Sequence, residues 1–199
     1  MNDYTFASTI RIALFYGVAV VVFLPETVGT FRDRVRPGAE RRDRGSKWVL
    51  MACLGAGTWA AFVLVHLFPE ADATGAAAPA LFYGGLLLMA SGAAFRWYAI
   101  GTLGEAFTRT VMVRTDQEVV AVGPYRWIRH PSYAGGLVTF VGIGLALCNA
   151  AAVVPTVVAT AAGYAYRIRV EEHALREALG ARYEAYAERT PDRLIPFLW

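Results

Sequence analysis

Two short runs hold the side chains of this sequence best suited to chemistry. The first is Gly123-Pro124-Tyr125-Arg126-Trp127-Ile128-Arg129-His130-Pro131-Ser132-Tyr133-Ala134-Gly135. The second opens with Arg167, Arg169, Glu171, Glu172 and Leu175 and continues through Gly180, Tyr183 and Tyr186 to Arg193-Leu194-Ile195-Pro196. Gly123-Pro124 is a turn signal, and Pro131 suits the first turn of a helix. His130 then stands at a helix N terminus, where backbone N–H groups and the helix dipole favour a carboxylate or phosphate. Arg167 and Glu171 lie four apart on one helix face. An anion-binding helix start opposite such charges would hold a zwitterionic or cationic small molecule. Plainer structural readings exist for the same residues: an interfacial belt of Tyr125, Trp127 and Tyr133 with snorkelling bases, an Arg167–Glu171 helical ion pair, and a solvated Glu172.

The elements that must position these runs are apolar. The 199 residues are 56% hydrophobic and 18% charged, below the roughly 25% charge of an ordinary soluble domain. That balance excludes disorder and argues against nucleic-acid binding. Blocks free of Asp, Glu, Lys and Arg cover residues 48–68, 73–95 and 131–166, against about 20 residues needed to cross the hydrocarbon core. The last block, 36 residues, is too long for one span and predicts a hairpin turning near Asn149. A shorter block, 12–24, extends at both ends, with Arg11 and Glu26 placed to snorkel. The expectation is an all-α, polytopic membrane helix bundle of about five spans, with a C-terminal hairpin and two polar cytoplasmic segments.

Loop charge orients it. Residues 29–47 carry six arginines and one lysine, residues 96–130 five arginines, and the tail from Arg167 six, whereas the connector with Glu70 and Asp72 and the turn at Asn149 carry none. By the positive-inside rule the N terminus lies outside and the C terminus in the cytoplasm; a cell inner membrane is the expected location. The first segment lacks a basic n-region and a convincing cleavage site, and reads as a span rather than a signal peptide. The first basic loop is a topology signal and a contact for anionic membrane lipids. Cys53 and Cys148 read as buried free thiols, with no metal site. His66 reads as a satisfied buried histidine, and the closing Phe197-Leu198-Trp199 as a tail dock. The small residues Gly84, Gly85, Gly92, Gly101, Gly135, Gly136, Gly142 and Gly144 read as close helix packing.

At these residues the sequence resembles the isoprenylcysteine carboxyl methyltransferase family, which is itself similar to phospholipid methyltransferases. The resemblance rests on Gly-Pro-Tyr-Arg-x-x-Arg-His-Pro-Ser-Tyr-x-Gly at 123–135, then, beyond a hydrophobic hairpin, Arg167-x-x-x-Glu171-Glu172-x-x-Leu175, Gly180-x-x-Tyr183-x-x-Tyr186 and Leu194-Ile195-Pro196. It covers roughly residues 100–199, while the N-terminal half matches only in being hydrophobic. It implies one integral membrane domain, 1–199, with three spans in 1–101 and a catalytic region in 102–199.

The resemblance further implies S-adenosylmethionine as cofactor, with Gln117, Glu118, Val119, Val120, Tyr125, His130, Pro131, Ser132, Tyr133 and Glu171 around it. Arg167 would meet the substrate, and Arg167, Glu171 and His130 would carry catalysis. Many relatives have His where Gln117 stands. A helix start with His130 suits the cofactor's carboxylate, Glu171 an ammonium or ribose hydroxyl, and Val119 and Val120 the adenine. The implied reaction is carboxyl O-methylation of a lipophilic, isoprenylcysteine-like acceptor. A carboxylate is ionised at neutral pH and needs no base, and Arg167 would orient it bidentately; an amine, phenol or thiol would need His130 or Glu171. Phospholipid or amine N-methylation stays open, as does a membrane protein that keeps the fold without catalysis. An NADPH-dependent steroid reductase-like enzyme shares Arg-His-Pro-x-Tyr-x-Gly, but tends to have Asn and an acidic residue where this chain has Ser132 and Gly136.

Overall fold

The structure, a computed structural model, describes residues 9–32, 40–113, 117–196 and 199. Four helices have the length and composition to cross a membrane: α1 (Thr9–Arg32), α2 (Ser46–Leu67), α3 (Ala77–Leu103) and α5 (Ala150–Leu179). The fifth apolar helix, α4 (Pro131–Ala146), has 16 residues and reaches only about 24 Å at 1.5 Å per residue. Eleven of its residues are buried between neighbouring helices, so it need not match the lipid on its own. A short helix, α6 (Ala181–Arg189), follows α5. The chain is thus a polytopic α-helical membrane bundle. The outward faces of α1 and α2 carry Ile10, Val20, Val21, Leu24 and Trp48, which lipid rather than water would cover.

The hairpin turns where the charge-free block predicts. Asn149 caps α5, its side-chain oxygen accepting the N–H groups of Ala151 and Ala152, while its amide donates to the Phe68 carbonyl and to Asp72. Ala73 N–H donates to the Cys148 carbonyl. The two connectors without basic residues therefore meet at one end of the bundle, as the loop charges require.

Helices α3 and α4 cross on reciprocal glycines. A Cβ on Gly85 would stand 2.7 Å from the Gly142 carbonyl oxygen, and one on Gly92 at 2.7 Å from that of Gly135; the converse additions meet Gly85 and Gly92 oxygens at 2.6 Å. The seven-residue spacing on both helices brings backbone against backbone twice, as small residues allow in lipid. Gly84 and Gly101 have open space beside them and take no part in the crossing.

At the arginine-rich end two distant connectors are tied together. Strand β2 (Met112–Val113) pairs antiparallel with β1 (Glu40–Arg41), tying the α1–α2 loop to the connector after α3. Gly180, at φ 53°, turns the chain from α5 into α6 and brings Tyr183 and Tyr186 against Val111, Val113, Ala174 and Leu179.

Several side chains depart from the sequence reading. Glu26 does not snorkel: it accepts Arg96 Nε at 2.8 Å inside the bundle. Arg11 is buried with its guanidinium over the Phe82 ring. His66 is exposed on α2, its Nδ1 2.8 Å from the Phe62 carbonyl. Phe197 and Leu198 lie outside the described residues, whereas Trp199 packs against the Tyr133–Tyr164–Ile168–Leu194 cluster.

Candidate functional site

A polar cavity opens at the arginine-rich end, between the connector after α3, the start of α4, the last turns of α5 and α6. Gln117, Glu118, Val119, Val120, Tyr125, His130, Ser132, Tyr133, Arg167 and Glu171 all line it. Pro131 does not; it is buried at the first position of α4. Residues separated by up to 54 positions therefore surround one space.

Tyr133 is the joint of this wall. Its ring is stacked between His130 (centroids 5.6 Å apart) and Tyr164 (5.0 Å). Its hydroxyl donates to Glu171 Oε2 at 2.6 Å and accepts from Arg167 Nε at 3.3 Å. Arg167 and Glu171 are therefore joined through Tyr133 rather than as the direct helical ion pair their spacing allows. The direct partner of Arg167 is Asp43, in the α1–α2 loop: Nη1 donates to Asp43 Oδ1 and, at 2.8 Å, to Ser46 Oγ, while Nη2 donates to the Arg109 carbonyl at 2.7 Å. Asp43 also accepts the backbone N–H groups of Val111 and Lys47 and the Ser46 hydroxyl. Burial alone would raise its pKa, but those two N–H groups, the Arg167 charge and the Ser46 hydroxyl outweigh it and hold the carboxyl below its ordinary range.

Glu172 is not solvated. It is 2% exposed and gathers Arg129 Nε (2.8 Å), His130 Nε2 (3.4 Å), Arg176 and Arg193 (each 3.2 Å). The same cluster fastens the tail. Arg129 Nη1 donates to the Thr190 and Pro191 carbonyls, and the Arg129 and His130 N–H groups donate to those of Asp192 and Arg193. The helix start expected to offer free N–H groups is thus partly committed to the tail, and the N–H groups of Tyr133 and Ala134 return to the His130 carbonyl.

Among the described residues, the hydroxyls of Tyr125 and Tyr183 are buried in this cavity wall without a hydrogen-bond partner. A buried unsatisfied hydroxyl costs about 1–3 kcal/mol, which an incoming polar ligand recovers. Two such hydroxyls, the Glu171 carboxylate and the apolar Val119, Val120, Leu175 and Leu179 suit a ligand with polar ends and a flat apolar ring. An S-adenosylmethionine molecule has that character, so the donor set fits it.

A second, apolar cavity of about 730 Å3 lies among all five long helices. Val22, Phe23, Leu50, Met51, Leu54, Phe62 and Phe140 are among its apolar lining, and Glu26, Arg96 and Arg109 among its polar lining. Phe107, Thr108, Tyr133 and Arg167 line both cavities. Sequence reasoning missed Asp43, Glu26, Arg96, Tyr183 and the Glu172 hub. Of these, only Asp43 left a local signal, an acidic residue three before Ser46 at the head of an apolar run.

Fold and site together define a polytopic membrane protein with a polar and an apolar cavity sharing a wall. The model of the Isoprenylcysteine carboxyl methyltransferase (ICMT) family matches residues 85–177. Protein-S-isoprenylcysteine O-methyltransferase B of Arabidopsis thaliana is 36% identical over 116 residues, 57% of this chain and 58% of that protein. The Saccharomyces cerevisiae Protein-S-isoprenylcysteine O-methyltransferase is 35% identical over 107 residues, 53% of this chain and 45% of that protein. The chain thus spans about half the length of the curated relatives it matches. In fold it is similar to the solved eukaryotic intramembrane Ras methyltransferase ICMT, with a TM-score of 0.65 at 23% identity, covering 96% of this chain and 69% of that one.

Proposed function

We propose that the chain is a membrane methyltransferase that uses S-adenosylmethionine to methylate the carboxylate of a lipophilic, isoprenylcysteine-like acceptor. The observation that carries this reading is the wall shared by the two cavities: Tyr133 and Arg167 face both a polar chamber and a 730 Å3 apolar one. The apolar chamber is within the usual range for small-molecule sites and takes a hydrocarbon chain. The cofactor supplies a methyl group on a sulfonium, activated by its leaving group. Tyr125, Tyr183 and Glu171 bind its polar ends, Val119 and Val120 flank its ring, and the His130–Tyr133–Tyr164 stack holds Tyr133 rigidly at the junction. Transfer of that methyl to an ionised carboxylate would leave an ester and a thioether with no proton to move, so the chain's residues need only hold and align the two groups. The protein contributes proximity and alignment, with water excluded by the buried wall.

We place the arginine-rich end, with the polar cavity, in the cytoplasm and the chain in the cell inner membrane, and read 1–199 as a single domain with its catalytic region in 102–199. The test is calorimetric titration of the protein in lipid nanodiscs with S-adenosylmethionine, S-adenosylhomocysteine and NADPH, followed by methylation assays on N-acetyl-S-farnesylcysteine and N-acetylcysteine. Micromolar binding of the first two ligands and methylation of the farnesylated acceptor alone is expected. Binding of NADPH without S-adenosylmethionine, or methylation confined to the soluble acceptor, overturns the proposal.

A further inference from the structure

The guanidinium of Arg167 has five N–H groups in a planar fork. The described residues account for four: Nε on the Tyr133 hydroxyl, the two of Nη1 on Asp43 and Ser46, and one of Nη2 on the Arg109 carbonyl. Among the described residues, a single Nη2 N–H remains for a ligand. The bidentate grip that the residue type suggests would require Asp43 or Tyr133 to let go. Neither is a loose surface contact. Asp43 is 2% exposed, caps α2 through the Lys47 N–H and holds β2 through the Val111 N–H.

We propose that Asp43, from the α1–α2 loop, is a positioning residue that restricts Arg167 to one-point contact with the acceptor carboxylate. The proposal rests on the acceptor reading given above. A fork that clamped both carboxylate oxygens would hold the lone pairs of both in N–H bonds. One contact orients the group and leaves the second oxygen uncommitted, facing the shared wall where the methyl group must arrive. The Asp43 carboxylate also balances the Arg167 charge in its buried setting, so the acceptor meets a directed N–H rather than an unpaired cation. The site is then incomplete without the N-terminal half, although residues 85–177 carry the family match.

The test uses the full chain in nanodiscs, with N-acetyl-S-farnesylcysteine as acceptor and cofactor affinity measured separately by calorimetry. Asp43→Asn keeps the shape and one acceptor oxygen while removing the charge; Ser46→Ala removes a single Nη1 partner and leaves Asp43 on the Lys47 N–H. We expect kcat/KM for the acceptor to fall about tenfold in Asp43→Asn and two- to fivefold in Ser46→Ala, with cofactor Kd unchanged within twofold. In an Arg167→Gln background, Asp43→Asn should cost less than twofold more, because the group it positions is gone. An equal loss in that background, or a parallel loss of cofactor affinity, refutes positioning and leaves a merely structural loop. If Asp43→Asn does not fold, the same comparison with Ser46→Ala decides, and a Ser46→Ala protein at wild-type kcat/KM overturns the proposal. Arg167→Gln at wild-type kcat/KM would refute the acceptor role of Arg167 itself, whereas a defective Arg167→Gln beside an unaffected Asp43→Asn refutes this inference alone.

Discussion

Replacing Tyr183 by Phe removes one oxygen atom from the polar cavity and should move two quantities in opposite directions. The hydroxyl is buried, lacks a hydrogen-bond partner among the described residues, and has its pKa pushed up, first by burial and then by the Glu172 carboxylate. In the ligand-free protein it is a liability of about 1–3 kcal/mol, the cost of an unsatisfied buried hydroxyl. Tyr183→Phe should therefore raise the Tm of the free protein, by about 2–4 °C for each kcal/mol in a chain of this length. With cofactor bound, the same hydroxyl donates either to a neutral acceptor, for about 1 kcal/mol, or to a carboxylate, for about 1.5–3 kcal/mol. Its loss should weaken Kd by roughly 5-fold in the first case and by about 10- to 150-fold in the second. Thermal unfolding of the free protein and titration with S-adenosylhomocysteine measure the two terms independently. A lowered Tm would mean that the hydroxyl is already satisfied in the free protein. An unchanged Kd would mean that it does not meet the cofactor. Either result refutes the reasoning.

Other outcomes follow from the same geometry. Tyr125→Phe, at the second unpaired hydroxyl, should also weaken S-adenosylhomocysteine binding, measured by the same titration. Gly85→Ala places a methyl 2.7 Å from the Gly142 carbonyl and should destabilise the bundle by about 1–3 kcal/mol, while the adjacent Gly84→Ala meets nothing and should be neutral; denaturation in mixed micelles compares them. Gly55 lines the apolar cavity with open space at its Cβ, so Gly55→Leu should preserve cofactor affinity and shift acceptor preference to shorter chains, read from kcat/KM on geranyl and farnesyl acceptors. Glu172→Gln removes the buried carboxylate that Arg129 pairs with and should destabilise the protein by about 3–5 kcal/mol, read by thermal unfolding.

What local pattern encodes, the sequence made legible. Charge-free blocks located the helices, Asn149 marked the hairpin turn, and Gly-Pro and His-Pro marked the connector and the start of α4. The pairing of charges was not legible, since it is decided by which helices become neighbours. Arg167 and Glu171 invite a helical ion pair at spacing four, but Tyr133 enters between them from α4, and Asp43 reaches Arg167 across 124 positions. Glu26 and Arg96 look like two boundary charges until α1 and α3 pack and put them 2.8 Å apart. Glu172 reads as solvated because neither the folded-back tail nor Arg129 can be foreseen from its neighbours on α5. The unpaired hydroxyl of Tyr183 depends on the Gly180 turn, whose direction no periodicity supplies.

The glycine crossing of α3 and α4 also sets the direction of traffic. Two backbones in contact at Gly85–Gly142 and Gly92–Gly135 leave no width for a hydrocarbon chain, so that side of the apolar cavity is a closed wall. The opposite side differs. There α1 and α2 meet through Phe15 and Phe62, and towards the arginine-rich end Val22, Phe23, Leu50, Met51 and Leu54 face the cavity without a backbone seam. On the proposed function, a long-chain acceptor would arrive and depart laterally between these two helices, through side chains that can rotate. The first helix, peripheral to the proposed chemistry, would then be the door.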